Sequence, residues 1–232
     1  MKAKMVDVCA AVRSIFQKRR IPEKRMTLDE GCRLIQRENG LWLMRLSDQK
    51  WLFCTPFAAK DSYIIMDSDY RNLQLYADQD AQLDTNLRFL IRTAFECRFI
   101  HESIVSLHAA CVEDGSCAVC FTGDSGVGKS TRAKAWVEAL GAEFISGDRP
   151  AVRLEENGSV ACGVPWDGKE QIFRNVERPL RAILEVRRAP FTRLRRLSVE
   201  QAYRVLVRQC FIPMWDPDTA ALAMVNVKRL CR

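Results

Sequence analysis

Three glycines, a lysine and hydroxyl residues crowd into one short stretch, "FTGDSGVGKSTRAKAW", residues 121 to 136. Gly123, Gly128, Lys129 and Ser130 meet the P-loop (Walker A) pattern G-x-x-x-x-G-K-[ST]. Glycine lets consecutive backbone N–H groups curl around an anion with no Cβ in the way, and the helix that follows adds the positive end of its dipole. A lysine at the helix start can reach the outer phosphates of a nucleotide, and the Ser130 hydroxyl can ligate the accompanying Mg²⁺. Asp124, Ser125, Gly126 and Val127 complete the turn and Thr131 follows it. The stretch is expected to hold nucleotide phosphates.

A phosphate turn works only between a strand and a helix, and the flanks supply both. "SCAVCFTG" reads as a short buried strand after the turn signal "EDGS". "KSTRAKAWVEAL" sets Ala133, Trp136, Val137 and Leu140 on one helical face and stops at Gly141. Three further groups could act beside the turn. His108 is expected on the strand preceding the turn's strand, where it can position phosphate or acceptor. Asp148 is expected at the end of a strand adjacent to the turn's strand, where a carboxylate can hold Mg²⁺ or accept the acceptor's proton. Trp166, Asp167 and Lys169 make an aromatic, acidic and basic loop able to close over an acceptor, with Asp167 as a reserve base. His101 reads as structural.

Composition narrows the setting. With 232 residues, 48% of them hydrophobic, the chain can bury a core as one domain with an appended piece or as two small ones. No run of about eighteen apolar residues marks a membrane span, and the charged start lacks a secretion signal, so a cytoplasmic protein is expected. The ten cysteines are scattered through apolar segments and read as reduced core residues; Cys117 and Cys120, three apart in a strand, point to opposite faces and do not make a metal pair. The net charge of +7 is densest in "VRRAPFTRLRRLS", with Arg187, Arg188, Arg193, Arg195 and Arg196. This segment reads first as a solvated loop and next as a surface for an acidic or phosphorylated partner; with no stacking aromatics or nucleic-acid module, no nucleic-acid role is expected.

Along the chain, residues 1 to 80 form a small α+β region with strand candidates "LWLMRL", "KWLFCTPF", "SYIIMD" and "NLQLYA". A helix capped by Asp84 then places Leu87, Leu90, Ile91, Ala94 and Phe95 on one face. Residues 81 to 232 read as an α/β P-loop core: strands "SIVSLHAACVED" and "SCAVCFTG", the turn and its helix, the strand "EFIS", and a hairpin with Asn157 and Gly158 at its tip. The strand "LRAILEV" and a helix with a Ser198–Gln201 capping box follow, and the chain ends helix-like at "VKRLCR", so a further strand is expected beyond it.

None of the six asparagines is followed by lysine, which argues against a GTPase guanine site, and too little chain follows for a motor ATPase. A kinase is left in front. "SLHAACVEDGSCAVCFTGDSGVGKSTRAKAWVEALGAEFISGDRPAVR" resembles the catalytic domain of HPr kinase and its relatives, over roughly residues 100 to 185. The resemblance rests on the histidine before GDSGVGKS and on Gly147, Asp148 and Arg149 after the helix. It implies the HPr kinase/phosphoenolpyruvate carboxykinase fold and ATP- and Mg²⁺-dependent phosphorylation of a hydroxyl, commonly a serine, without supplying the substrate; taken with the reading of the residues, Lys129, Asp148 and His108 are expected at the reaction, Ser130 and Asp148 on the metal, and Arg149, Trp166, Asp167 and Lys169 toward the acceptor, foremost a serine of a peptide or protein. It also implies oligomers. Two departures mark a divergent relative: Gly147 stands where HPr kinase has the first of two aspartates, and "GVPWDGKEQIFRN" replaces a glycine-rich signature. The latter is similar to HPr-kinase-like proteins that modify ribosomally made peptides, including lasso-peptide precursors. A small-molecule hydroxyl kinase and a nucleotide-gated binding module are the alternatives.

Overall fold

A computed structural model describes residues 33–38, 41–46, 48–54, 63–76, 85–166 and 172–232. The chain divides into two compact units, Met1–Arg98 and Phe99–Arg232.

In the first unit the four expected strands are β2 (Leu41–Arg45), β3 (Trp51–Cys54), β4 (Tyr63–Met66) and β5 (Leu73–Tyr76). A fifth, β1 (Arg33–Glu38), opens an antiparallel meander running β1-β2-β3-β4-β5. "RLIQRE" has no clean alternation to announce it, and its pairing with the apolar β2 decides its state. Tyr70, 1% exposed, stacks on Trp51 at 6.2 Å. The helix α1 (Thr85–His101), of which residues 85–98 belong to this unit, buries Leu90, Ile91 and Ala94, as its spacing predicts, together with Thr93 and Glu96. Its expected cap, Asp84, lies outside the described residues.

The second unit is a mixed α/β fold. Its seven-stranded sheet runs β6-β10-β11-β12-β8-β7-β9, with β6 (Ile104–Ser106), β7 (Ala109–Asp114), β8 (Cys117–Thr122), β9 (Glu143–Ser146), β10 (Ala151–Glu155), β11 (Gly158–Cys162) and β12 (Glu177–Glu185). Only β12 and β8 are parallel; the other pairs are antiparallel. The segment "SIVSLHAACVED" therefore makes two strands, where the sequence suggests one. β6 is an edge strand and β7 lies second from the opposite edge, yet only Leu107 and His108 separate them. Two residues span at most about 10 Å, so the sheet must curl until its two margins meet at His108.

Alternation along β7 and β8 sorts side chains between two cores. Ala110, Val112, Val119 and Phe121 face α2 (Lys129–Leu140), packing on Ala133, Trp136 and Val137. Cys111 and Cys120, opposite one another in register, face the other core with Ile145 and Val152, against Leu206 of α3 (Val199–Gln209) and Val227 of α4 (Pro217–Leu230). The described cysteines are free thiols, and Cys117 is half-buried while Cys120 is buried, as opposite faces require. Leu140 departs from expectation: at 59% exposed it lies beyond the sheet's cover, in the last turn before Gly141 (φ 67°). The β10–β11 hairpin turns on Glu156 and Asn157, with Gly158 (φ 136°) already paired to Glu155, one residue earlier than the expected tip. Among the described residues no helix is long and apolar enough to cross a membrane.

The outer edge of β9 is covered by the chain around residue 173. Arg174 N–H donates to the Ile145 carbonyl (2.9 Å) and Gly147 N–H to the Ile172 carbonyl (2.9 Å). The Arg174 guanidinium clamps this segment, reaching the Phe144 carbonyl, Glu143 and Glu113 at 2.6 Å each, while Arg178 takes the second Glu113 oxygen at 2.6 Å. Charge-assisted bonds of this length are the strong kind. Gly163 lies hard against the clamped backbone, where a Cβ would stand 1.7 Å from the Arg174 carbonyl oxygen. Gly163→Ala should therefore destabilise the second unit by about 2–4 kcal/mol in denaturant unfolding. An unchanged unfolding midpoint would mean the clamp yields freely.

Candidate functional site

The glycine turn leaves the carboxyl end of β8 and enters α2, the strand–turn–helix context its pattern requires. Gly123, Gly126 and Gly128 have φ of 138°, 74° and 104°, all in the region glycine favours. At Gly123 space is also short, since a Cβ would come within 2.8 Å of the Val186 carbonyl. Val127 N–H donates to the Asp124 carbonyl at 3.3 Å; among the described residues the amides of Ser125, Gly126, Gly128, Lys129 and Ser130 are given to no carbonyl. Unspent amides at a helix N-terminus form a nest for an anion.

Lys129 is buried at 9% exposure, and its ammonium donates to the Gly123 and Asp124 carbonyls at 3.0 and 3.2 Å. Burial lowers its pKa, opposed by the carboxylates of Asp148 and Asp124. Ser130 is half-buried, Thr131 exposed, and Asp124, Ser125 and Gly126 are exposed along the rim.

Asp148 arrives by a route the sequence does not show. β9 pairs with β7 rather than with β8, so Asp148 does not end a strand adjacent to the turn's strand. Residues 147–150 instead fold back along the β6–β7 junction: the Asp148 carbonyl accepts from Ala109 N–H (2.8 Å) and the Pro150 carbonyl from Leu107 N–H (3.2 Å). This puts Asp148 beside His108, which stands one residue before β7 rather than within it. His108 Nε2 lies 3.4 Å from Asp148 Oδ1, and Arg149 Nε lies 3.9 Å from Oδ2. The junction also meets β8, whose Thr122 hydroxyl donates to the His108 carbonyl at 2.9 Å. Sheet curl thus joins Asp148, His108, Arg149 and Lys129 at one end of β7 and β8.

No protein-family model matches the chain, and no curated protein matches its sequence.

Trp166 is half-buried at the end of the described chain before residues 167–171; Asp167 and Lys169 lie outside the described residues. Ile172 braces Gly147 through its carbonyl. His101 stands at the end of α1, its Nε2 3.2 Å from the Thr219 hydroxyl, consistent with a structural role. Two contacts at the site carry no sequence signal. The Gln209 side-chain NH₂ approaches Asp124 Oδ1 at 3.5 Å while the Gln209 backbone carbonyl accepts from His108 N–H at 2.8 Å, so the end of α3 braces both sides of the site. Arg188 donates to the Gly126 carbonyl at 2.8 Å. Of α3 itself, the capping box at its start is legible beforehand, and it is present as expected.

Proposed function

We propose that the protein is an ATP- and Mg²⁺-dependent kinase that transfers a phosphoryl group to a hydroxyl, foremost a serine of a peptide or protein, on a P-loop core of the HPr kinase type. The observation that carries this reading is the convergence of Lys129, Asp148 and His108 on a glycine turn with unspent amides. The donor set fits the nucleotide. Amides and an ammonium suit phosphate oxygens, while Ser130 and Asp148 offer oxygen ligands for Mg²⁺. Among the described residues no group of three or more His, Cys, Asp or Glu could hold a metal unaided.

When bound, MgATP supplies the transferable phosphoryl group. The turn's amides and Lys129 neutralise charge that builds on phosphate oxygens, in a site partly shielded from water. Asp148 orients the acceptor hydroxyl and takes its proton late in transfer, or holds the metal. His108 and Arg149 fix its carboxylate. A cytoplasmic setting accords with this chemistry. Calorimetry tests the binding half: ATP should bind only with Mg²⁺ present at useful affinity, and no binding of any nucleoside triphosphate would refute the reading.

Gly147 favours a second reading, a nucleotide-gated binding module with little turnover, because the stretch offers one carboxylate where HPr kinase has two. The position has room for another. A Cβ on Gly147 would meet Ile172 at 3.6 and 3.7 Å, ordinary contact, and its φ is not left-handed. Gly147→Asp should fold normally and raise transfer about 3- to 10-fold in single-turnover assays. A folded variant that binds ATP yet transfers nothing, like its parent, would favour the binding module.

A further inference from the structure

We infer that the arginine-rich segment 186–197 and the groove beside it dock an acidic, partly apolar stretch of the acceptor peptide, presenting its hydroxyl to the glycine turn; this rests on the kinase reading. The segment holds five arginines, three large apolar residues (Phe191, Leu194 and Leu197) and no Asp or Glu. All residues from Arg187 to Arg196 are exposed, and Phe191 and Leu194 reach 65% and 82% exposure. Arg187 pairs with Glu185 at 2.9 Å and Arg188 holds the Gly126 carbonyl. Among the described residues Arg193, Arg195 and Arg196 have no acidic partner. A purely solvated loop explains the arginines but not the exposed phenylalanine and leucine between them.

Position gives the segment its meaning. It springs from the turn itself: Val186 N–H donates to the Thr122 carbonyl at 2.8 Å, and the Val186 carbonyl is what forbids a side chain at Gly123. At its other end Leu197 and Arg196 border a groove of about 430 Å³, floored by Ile183 and Leu206 and flanked by Arg181. Its one acidic side chain, Glu185, is the partner of Arg187. An occupant must therefore bring negative charge for the rim and apolar side chains for the floor. From Arg188 to Arg196 the chain spans at most about 28 Å, so the acidic stretch would lie within several residues of the acceptor. A peptide satisfies both demands; nucleic acid offers charge without apolar side chains for the floor.

Fluorescence anisotropy without nucleotide tests docking apart from catalysis. The probes are a labelled peptide of about 16 residues alternating Glu with Leu, its Gln-for-Glu counterpart, and a single-stranded DNA of similar length. The Glu peptide should bind roughly tenfold or more tightly than the Gln peptide, and the triple variant Arg193→Gln/Arg195→Gln/Arg196→Gln should lose that advantage. Phe191→Ser/Leu194→Ser should weaken the Glu peptide several-fold while leaving its preference over Gln. Equal binding of the two peptides, full retention by the triple variant, or tighter binding of DNA would overturn the proposal. The substituted side chains are exposed, and circular dichroism checks that the variants fold. Docking that fails while MgATP still binds would leave the kinase reading standing; docking that succeeds with no nucleotide binding would sink that reading instead.

Discussion

Lys129→Ala should abolish phosphoryl transfer while leaving the protein folded. The lysine is buried beneath its own turn, with its ammonium on the Gly123 and Asp124 carbonyls. Its burial disfavours the charge, which the Asp148 and Asp124 carboxylates restore. Truncation removes two hydrogen bonds and relieves a desolvated ammonium at once, so the two effects oppose and stability should move by no more than about 1 kcal/mol. Transfer has no such compensation. An ammonium aimed at developing phosphate charge in a shielded site is worth about 10²- to 10³-fold or more in rate. Lys129→Arg is the stringent companion: it keeps the charge, but its larger planar head does not fit the buried corner, and it should rescue little. Melting temperature and single-turnover rate together check this. A folded Lys129→Ala protein with normal product formation would remove the turn from the chemistry.

Asp148→Asn is the second large effect, expected to lower transfer by about 10²- to 10⁴-fold and to weaken Mg²⁺ dependence with it. The substitution keeps the shape and leaves the backbone bond from Ala109 N–H to residue 148 intact, so the fold-back along the β6–β7 junction should persist. What disappears is the charge that His108 and Arg149 flank at 3.4 and 3.9 Å. If the carboxylate served only as base, nucleotide and metal binding would survive unchanged. A mixed loss is expected because Gly147 leaves Asp148 to cover both tasks. Calorimetry of ATP and Mg²⁺ binding beside the single-turnover rate separates them, with Asp167→Asn as the comparison. An unchanged rate in Asp148→Asn would take this residue out of the mechanism.

Local signals carried much of this. The glycine turn, its flanking strand and helix, the β10–β11 hairpin and the Ser198 capping box are each written within a dozen residues, where spacing and turn chemistry decide the state. Sheet order is not local. That β9 pairs with β7, and that "SIVSLHAACVED" breaks at Leu107, depend on partners tens of residues away. His108 and Asp148 could be named as chemistry-bearing types, yet only the curl of the sheet brings them within 3.4 Å of each other. Gln209 had no signal at all, since a glutamine ending an amphipathic helix looks like any exposed polar residue until the helix docks. β1 was hidden for a related reason, its strand state being imposed by β2 rather than by its own sequence.

The most direct test of kinase function is a balance of products. The protein is incubated with ATP, Mg²⁺ and serine-containing peptides bearing an acidic stretch, with small hydroxyl compounds in parallel, and both ADP and acceptor mass are followed by mass spectrometry. The expected result is one phosphoryl group gained on an acceptor hydroxyl for each ADP formed, lost in Lys129→Ala. Tight ATP-dependent binding of a partner with no ADP and no phosphorylated acceptor would contradict it.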